Sequence, residues 1–141
     1  MPSPSTSVAP LLGRILICWI FIYSAWGQIV EFQFWSNRAT QAGLPFGHVA
    51  IIGSITVQML GGVAILLGAR ARIAAWVLFL FLIPTTLTFH QFWKLSGAAA
   101  TPQINNFNRN LAIMGGMLFI ATFGVGAYSV DALLAARRSR S

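Results

Sequence analysis

The chain has 141 residues, of which 57% are hydrophobic and only 8% are charged, and its mean hydropathy is +0.75. Soluble domains carry about 25% charged residues, so this composition argues against a water-soluble globule, and it also excludes a disordered chain. The formal net charge is +7. Because the basic residues stand between long apolar runs, we interpret them as determinants of membrane topology and expect no nucleic-acid partner.

Four apolar segments without a charged residue follow one another along the chain. They are residues 15–30, 49–69, 73–89 and 111–130. A hydrocarbon core about 30 Å thick requires roughly 20 helical residues, and backbone polar groups in lipid must be satisfied within their own segment. The sequence therefore predicts an all-α protein, a four-helix transmembrane bundle at residues 11–131. A flexible head at residues 1–10 and a basic cytoplasmic tail at residues 132–141 flank this domain.

Basic residues predict the orientation of the bundle. The link at residues 68–72 is short enough to force an antiparallel hairpin, and it carries Arg70 and Arg72. Positive residues favour the cytoplasmic side, so this hairpin predicts that both termini face the cytoplasm (N-in/C-in). The count over the whole sequence agrees with this orientation, since six basic residues fall on the predicted inner side and three on the outer side. The inner residues are Arg14, Arg70, Arg72, Arg137, Arg138 and Arg140, and the outer residues are Arg38, Lys94 and Arg109.

The outer link after the first apolar segment predicts a short surface helix that stops near Gly43, with Pro45 just beyond it. The chain offers little machinery for catalysis. Its two acidic residues, Glu31 and Asp131, are predicted on opposite faces of the membrane, and Cys18 is its single cysteine. No zinc spacing or nucleotide-binding loop occurs. We therefore expect no metal site, no covalently bound cofactor and no catalytic centre within this chain alone.

Polar residues inside the apolar helices carry the functional prediction. With the predicted topology, Gln28, His90 and Asn110 fall at or near the outer end of the bundle, and Gln58 falls near the middle of its helix. Uncompensated polar groups in hydrocarbon cost several kcal/mol, so these side chains should face the protein interior. The sequence predicts a polar cavity in the outer half that extends to about Gln58.

Each of these residues also has a purely structural interpretation. Gln58 can form a hydrogen bond to another helix that serves only helix packing, and His90 can be an ordinary histidine at the membrane interface. A role of His90 in binding a ligand or a proton is the alternative to that. Arg14 and Asp131 both fall at the inner surface, where we expect a salt bridge between the first and last helices.

An ordered set of short motifs resembles the DoxX family of small four-helix bacterial membrane proteins. The resemblance covers about residues 11–131, and its parts are Arg14, FIYSAWGQ at 21–28, AGLP at 42–45, QMLGGVAILLG at 58–68, Arg72, FHQFW at 89–93, Asn110, Gly115-Gly116 and GVGAYSVD at 124–131.

The resemblance implies a bacterial inner membrane protein associated with redox systems, because family members include subunits of quinol oxidase and of thiosulfate:quinone oxidoreductase. Family members often have Lys at the position of Gln28 and Glu at that of Gln58, whereas both are amides here. This substitution removes an intramembrane ion pair or a proton-carrying carboxylate. An amide-lined site can still bond a neutral carbonyl or hydroxyl group, such as that of a quinone headgroup.

We therefore expect an accessory subunit of a quinone-linked membrane redox system. Its ligand would be bound by Gln28, Gln58, His90 and Asn110 between the apolar rings of Trp26 and Trp93. A second hypothesis is a structural subunit of a larger membrane complex without a ligand, and a third is an oligomeric transporter of a small solute. The expected partners are the lipid bilayer and either other membrane subunits or further copies of the chain.

Overall fold

A computed structural model describes residues 8–139, and its regular structure there is helical throughout. Six α-helices follow in order: α1 (Ala9–Val30), α2 (Phe32–Gln41), α3 (Gly47–Leu67), α4 (Ala71–Phe89), α5 (Ala100–Phe123) and α6 (Val130–Arg138). Two 3-10 turns, Phe92–Lys94 and Gly97–Ala99, connect α4 to α5. No strand occurs between residues 8 and 139. The predicted all-α class is confirmed.

Three helical segments are long and apolar enough to cross a membrane: Ala9–Val30, Gly47–Leu67 and Ala71–Lys94. They correspond to the first three apolar runs of the sequence. The fourth long helix, α5, is not among them, because its first half carries side chains such as Gln103, Asn106 and Arg109. Its second half is apolar.

The bounds of α5 differ from the prediction. The helix begins at Ala100 and ends at Phe123, whereas the apolar run predicted a helix over residues 111–130. The amide-rich segment is also helical, and side chains such as Asn105 and Asn108 are exposed there, so they need no buried partner. The helix stops at Gly124, whose φ of 82° and ψ of −164° cannot continue a helix. Apolar residues beyond Phe123 therefore belong to a turn.

The long helices pack as neighbours in the order α1, α3, α4 and α5, and α2 folds back onto α3. Small residues allow close approach at these contacts, as expected for helices in lipid. Gly61 faces Leu78 between α3 and α4, and Gly116 on α5 faces Ile17 on α1. The buried core that they enclose consists of Cys18, Phe21, Ile65, Ala75, Leu78, Leu82 and Met117.

The chain returns to the turn between α3 and α4 after α5 has ended. Gly68 has a left-handed φ of 67° in this turn, and its carbonyl oxygen accepts a hydrogen bond of 2.9 Å from the backbone N–H of Asp131. The guanidinium of Arg14, on α1, donates to the carbonyl oxygen of Tyr128. The start of α1, the α3–α4 turn and the segment after α5 therefore meet at one end of the helix stack. We call this end the junction, formed by Arg14, Gly68, Arg70, Ala71, Tyr128, Ser129 and Asp131.

The short helices show where the sequence was informative. The predicted surface helix is confirmed as α2, which ends at Gln41, followed by Gly43 with a φ of 92°. Residues 1–7 of the predicted flexible head lie outside the described residues, and α1 already begins at Ala9. The predicted basic tail is largely helical, because α6 runs from Val130 to Arg138.

Candidate functional site

Gln28 and Gln58 meet at the contact between α1 and α3. Gln58 is 5% exposed, and its Nε2 atom donates to Oγ of Ser54 at 2.9 Å and to Oε1 of Gln28 at 3.4 Å. Residues 8–139 provide no hydrogen-bond donor for Oε1 of Gln58 and no acceptor for Nε2 of Gln28. The amide pair therefore bridges two helices and leaves one acceptor and one donor unused.

Asn110 lies at the contact between α5 and α4. It is 5% exposed, and its Nδ2 atom donates to Oγ1 of the buried Thr86 at 3.0 Å. Within the described part of the chain its Oδ1 atom accepts no hydrogen bond. A buried amide with only one bond carries unused hydrogen-bonding capacity, because a side-chain amide has two donor hydrogens and an acceptor oxygen.

His90 follows the last residue of α4 and is half-buried. Its Nδ1 atom lies 2.9 Å from Oε1 of Gln103 on α5. His48 is separate from this group and packs its ring against Phe32, with ring centroids 5.7 Å apart. No group of three or more His, Cys, Asp or Glu residues between residues 8 and 139 is placed to hold a metal ion.

The structure brings only some of the predicted site residues into contact. Gln28 bonds to Gln58, but His90 and Asn110 each bond to a different partner, and no hydrogen bond between described residues joins the three groups. Trp26 is 60% exposed and Trp93 is 52% exposed, so neither ring forms a wall around the buried amides. Trp26 lies off the buried face of α1, and Trp93 lies in the 3-10 turn Phe92–Lys94, which has no buried residue. Such positions suit tryptophan at a membrane interface.

Arg14 and Asp131 both belong to the junction, but they do not bond to each other. The carboxylate of Asp131 accepts the backbone N–H of Arg70 at 2.8 Å and that of Ala71 at 3.1 Å. Arg14 uses one nitrogen for the carbonyl oxygen of Tyr128 and has no partner for Nε and Nη1 among residues 8–139. The expected connection between the first helix and the end of the chain is therefore made through backbone groups.

Two neighbouring cavities lie at the junction, far along the helices from the predicted site. One has a volume of about 690 Å³ and is lined by residues that include Arg70, Arg72, Phe123 and Asp131. The other, of about 230 Å³, lies between α1 and α5 and includes Arg14. The predicted cavity was placed at the opposite end, near Gln58 and His90.

Sequence reasoning missed two polar contacts. Gln103 was not singled out, because it precedes the fourth apolar run and no periodic pattern connects it to His90. Ser129 was also missed, although a readable signal existed: it accepts the backbone N–H of Ala132 at 3.2 Å as the N-cap of α6. A serine followed by an acid in the first turn and arginines in the last turn is typical of a short helix.

The long apolar helices and the few charges, most of them at helix ends, define an integral membrane protein that crosses the bilayer more than once. A profile of the DoxX family matches residues 9–91. The chain belongs to the DoxX family, as its motifs had predicted.

Two relatives from Escherichia coli K12 extend the similarity beyond the region of the family match. The chain is 34% identical to "Inner membrane protein YqjF" over 127 residues, which are 90% of this chain and 92% of that protein. It is 28% identical to "Inner membrane protein YphA" over 121 residues, or 86% of each chain. No solved structure matches the chain. The protein is a multi-pass protein of the bacterial inner membrane, which confirms the predicted location.

Proposed function

We propose that this DoxX protein is an accessory subunit of a quinone-linked membrane redox system and that it binds the quinone headgroup beside Gln28 and Gln58. The observation that carries the proposal is the amide pair between α1 and α3, which leaves the Gln28 amide donor and the Gln58 carbonyl acceptor unused. A quinone carbonyl accepts a hydrogen bond and a quinol hydroxyl donates one. Adjacent amide donor and acceptor groups suit both forms of such a ligand.

The proposed arrangement is a four-helix transmembrane bundle with both termini in the cytoplasm. The apolar second half of α5 provides the fourth crossing, and its polar first half extends to the outer surface. The contact of α5 with α4 supports this arrangement. The side-chain amide of Asn110 donates a hydrogen bond to Thr86 of α4 and therefore faces the neighbouring helix and not the lipid. Arginines at the junction favour the cytoplasmic side for that end.

The ligand site would bind without catalysing the reaction. Amides do not ionise at ordinary pH, so Gln28 and Gln58 can neither supply nor accept a proton in proton-coupled chemistry. The electron-transfer centre would belong to a partner subunit, and Asn110 and His90 would line the path to the outer surface.

A second candidate function, a structural subunit of a larger membrane complex, is favoured by the same cross-helix bonds. Gln28–Gln58 joins α1 to α3 and Asn110–Thr86 joins α5 to α4. Polar pairs of this kind stabilise helix association in membranes by about 0.6–2 kcal/mol each. If the protein is a structural subunit, the amides stabilise helix packing and bind no ligand, and partner chains would contact the lipid-facing surfaces.

Substitution of the amide pair separates the two functions. Binding of the short-chain quinone decylubiquinone to the purified protein would be measured by titration calorimetry in detergent, for the wild type, Gln58→Leu and the double variant Gln28→Leu/Gln58→Leu. We expect Gln58→Leu to weaken binding about tenfold, since one hydrogen bond to the ligand is lost. Gln33→Leu is the matched control, because Gln33 bonds only to Asn37 on the exposed surface of α2.

A wild-type protein that does not bind the quinone, or variants that bind it as well as the wild type, would contradict the ligand proposal. The structural function predicts a different pattern in thermal unfolding. Gln58→Leu leaves Gln28 without its partner and lowers the melting temperature, whereas the double variant recovers part of that loss because Gln28 is no longer unpaired. Ser54 loses its bond to Gln58 in both variants. Co-purification in mild detergent would then identify the partner chains.

A further inference from the structure

Arg14 is a buried cation without an anion. Its side chain is 3% exposed, one nitrogen donates to the carbonyl oxygen of Tyr128, and Nε and Nη1 have no partner within residues 8–139. A guanidinium has five N–H donors and remains charged at any physiological pH. Leaving such a charge buried and unpaired costs several kcal/mol, so the position calls for a compensating negative group.

Neither acidic side chain of the sequence compensates Arg14. The sequence has only two acidic residues. Asp131 accepts the backbone N–H groups of Arg70 and Ala71, and Glu31 lies at the other end of α1. The position is therefore suited to an anion bound from outside the chain.

The two cavities at the junction give an anion a route to this charge. They share Pro10, Gly124 and Val125 in their walls, so they adjoin each other. Near Arg14 the lining is largely apolar and includes Ile17 of α1 and Ile120 of α5. We call the whole space the junction crevice.

A second arginine stands at the wide part of the junction crevice. Arg72 is exposed, and its Nε and Nη2 atoms lie 3.6 Å from the position that a Cβ on Gly124 would take. Its side chain has no hydrogen-bond or ion-pair partner between residues 8 and 139. Arg70 lines the same part, so the crevice is cationic at its mouth and apolar between the helices.

We propose that the junction crevice binds one anionic phospholipid, with its phosphate on Arg72 and Arg14 and an acyl chain in the cleft between α1 and α5. The position agrees with this ligand, because the membrane-crossing helix α3 ends at Leu67 and α4 begins at Ala71, which places the crevice at headgroup level. A free phosphate would use the arginines but leave the apolar cleft empty. Guanidinium groups suit phosphate because their paired N–H donors match two of its oxygens.

Native mass spectrometry of the detergent-purified full chain tests the assignment, with palmitoyl-oleoyl phosphatidylglycerol and palmitoyl-oleoyl phosphatidylcholine added in equal amounts. We expect one phosphatidylglycerol to remain bound per chain, and its apparent affinity to fall about tenfold in Arg72→Gln. Arg137→Gln is the matched control. It removes the same charge from the exposed face of α6, away from the crevice. Arg14→Gln should cause a larger loss, and the exposed Arg72 keeps the test available if that variant does not fold.

Three results would overturn the proposal. Equal retention of both lipids would remove the need for an anion. Equal losses in Arg72→Gln and Arg137→Gln would show that only surface charge attracts the lipid. Complete displacement of phosphatidylglycerol by excess inorganic phosphate would reassign the crevice to a small free anion.

Discussion

Asp131 illustrates how a single side chain organises the junction. Its two carboxylate oxygens accept the N–H groups of Arg70 and Ala71, which begin α4 and have no partner within that helix. Arg70 has a left-handed φ of 49°, an uncommon conformation for a residue with a Cβ. The carboxylate therefore caps α4 and stabilises a tight turn at the same time.

Replacement of Asp131 by alanine is expected to lower the free energy of unfolding by about 1–3 kcal/mol, because two backbone N–H groups lose their acceptor. Asp131→Asn should cost less, since the amide oxygen can still accept one bond. Thermal unfolding in detergent measures both effects. Glu31→Ala is the control, because Glu31 is the only other acidic residue and its side chain makes no cap bond. A loss in Glu31→Ala as large as that in Asp131→Ala would contradict this role.

At the scale of elements, the contact between α2 and α3 depends on one glycine. Gly47 begins α3 and is buried against α2, where a Cβ at this position would overlap the carbonyl oxygen of Ser36 and Oγ1 of Thr40. Thr40 is itself held by a 3.1 Å bond to that carbonyl. The short surface helix therefore packs directly on backbone, which only glycine permits.

Gly47→Ala is expected to displace α2 and to destabilise the protein by about 1–3 kcal/mol, the usual cost of overpacking. Gly53→Ala, in the same helix, has nothing within 4 Å of the new methyl group and should be neutral or slightly stabilising. Melting temperatures of the two variants, together with protease sensitivity of the α2–α3 link, provide the measurement. Identical behaviour of the two variants would show that α2 does not depend on this contact.

At the scale of the whole molecule, the junction brings the first turns of α1 and the start of α6 to the same end of the helices. The arginines of the junction agree with a cytoplasmic position for that side. Cys18 is the only cysteine and is 1% exposed, so a variant without it is a suitable background for labelling.

We expect a Ser96→Cys variant of a Cys18→Ala protein to react with a membrane-impermeant maleimide in spheroplasts that retain an intact inner membrane. Ser139→Cys should react only after the membrane is opened. Ser96 lies in the exposed connection between α4 and α5, and Ser139 follows α6, the helix that starts at the junction. Both sites can be labelled in detergent as a control. Labelling of Ser139→Cys in intact spheroplasts would contradict the N-in/C-in arrangement.

Particular residues show which features of the structure could be predicted from the sequence and which could not. The buried face of α1 follows from the sequence, because helical spacing alone places Arg14, Cys18 and Phe21 on one face, and all three are buried. The start of α5 was not readable, since an amide-rich stretch has the same composition in a loop and on an exposed helix. The proposed ligand residues were assigned to one cavity because topology gave their approximate depth in the membrane, but depth does not say which side chains touch.

The sequence by itself determined the membrane class, the family, three of the four predicted helices as long and apolar enough to cross a membrane, and the tight turn between α3 and α4. Hydrophobic length, charge placement and glycine position are local properties. Only the tertiary structure decided the partners of the polar side chains. Asn110 bonds to Thr86, His90 to Gln103, and Asp131 to the backbone of the α3–α4 turn. Such pairings depend on the rotation and relative height of neighbouring helices, and helical periodicity within one segment specifies neither.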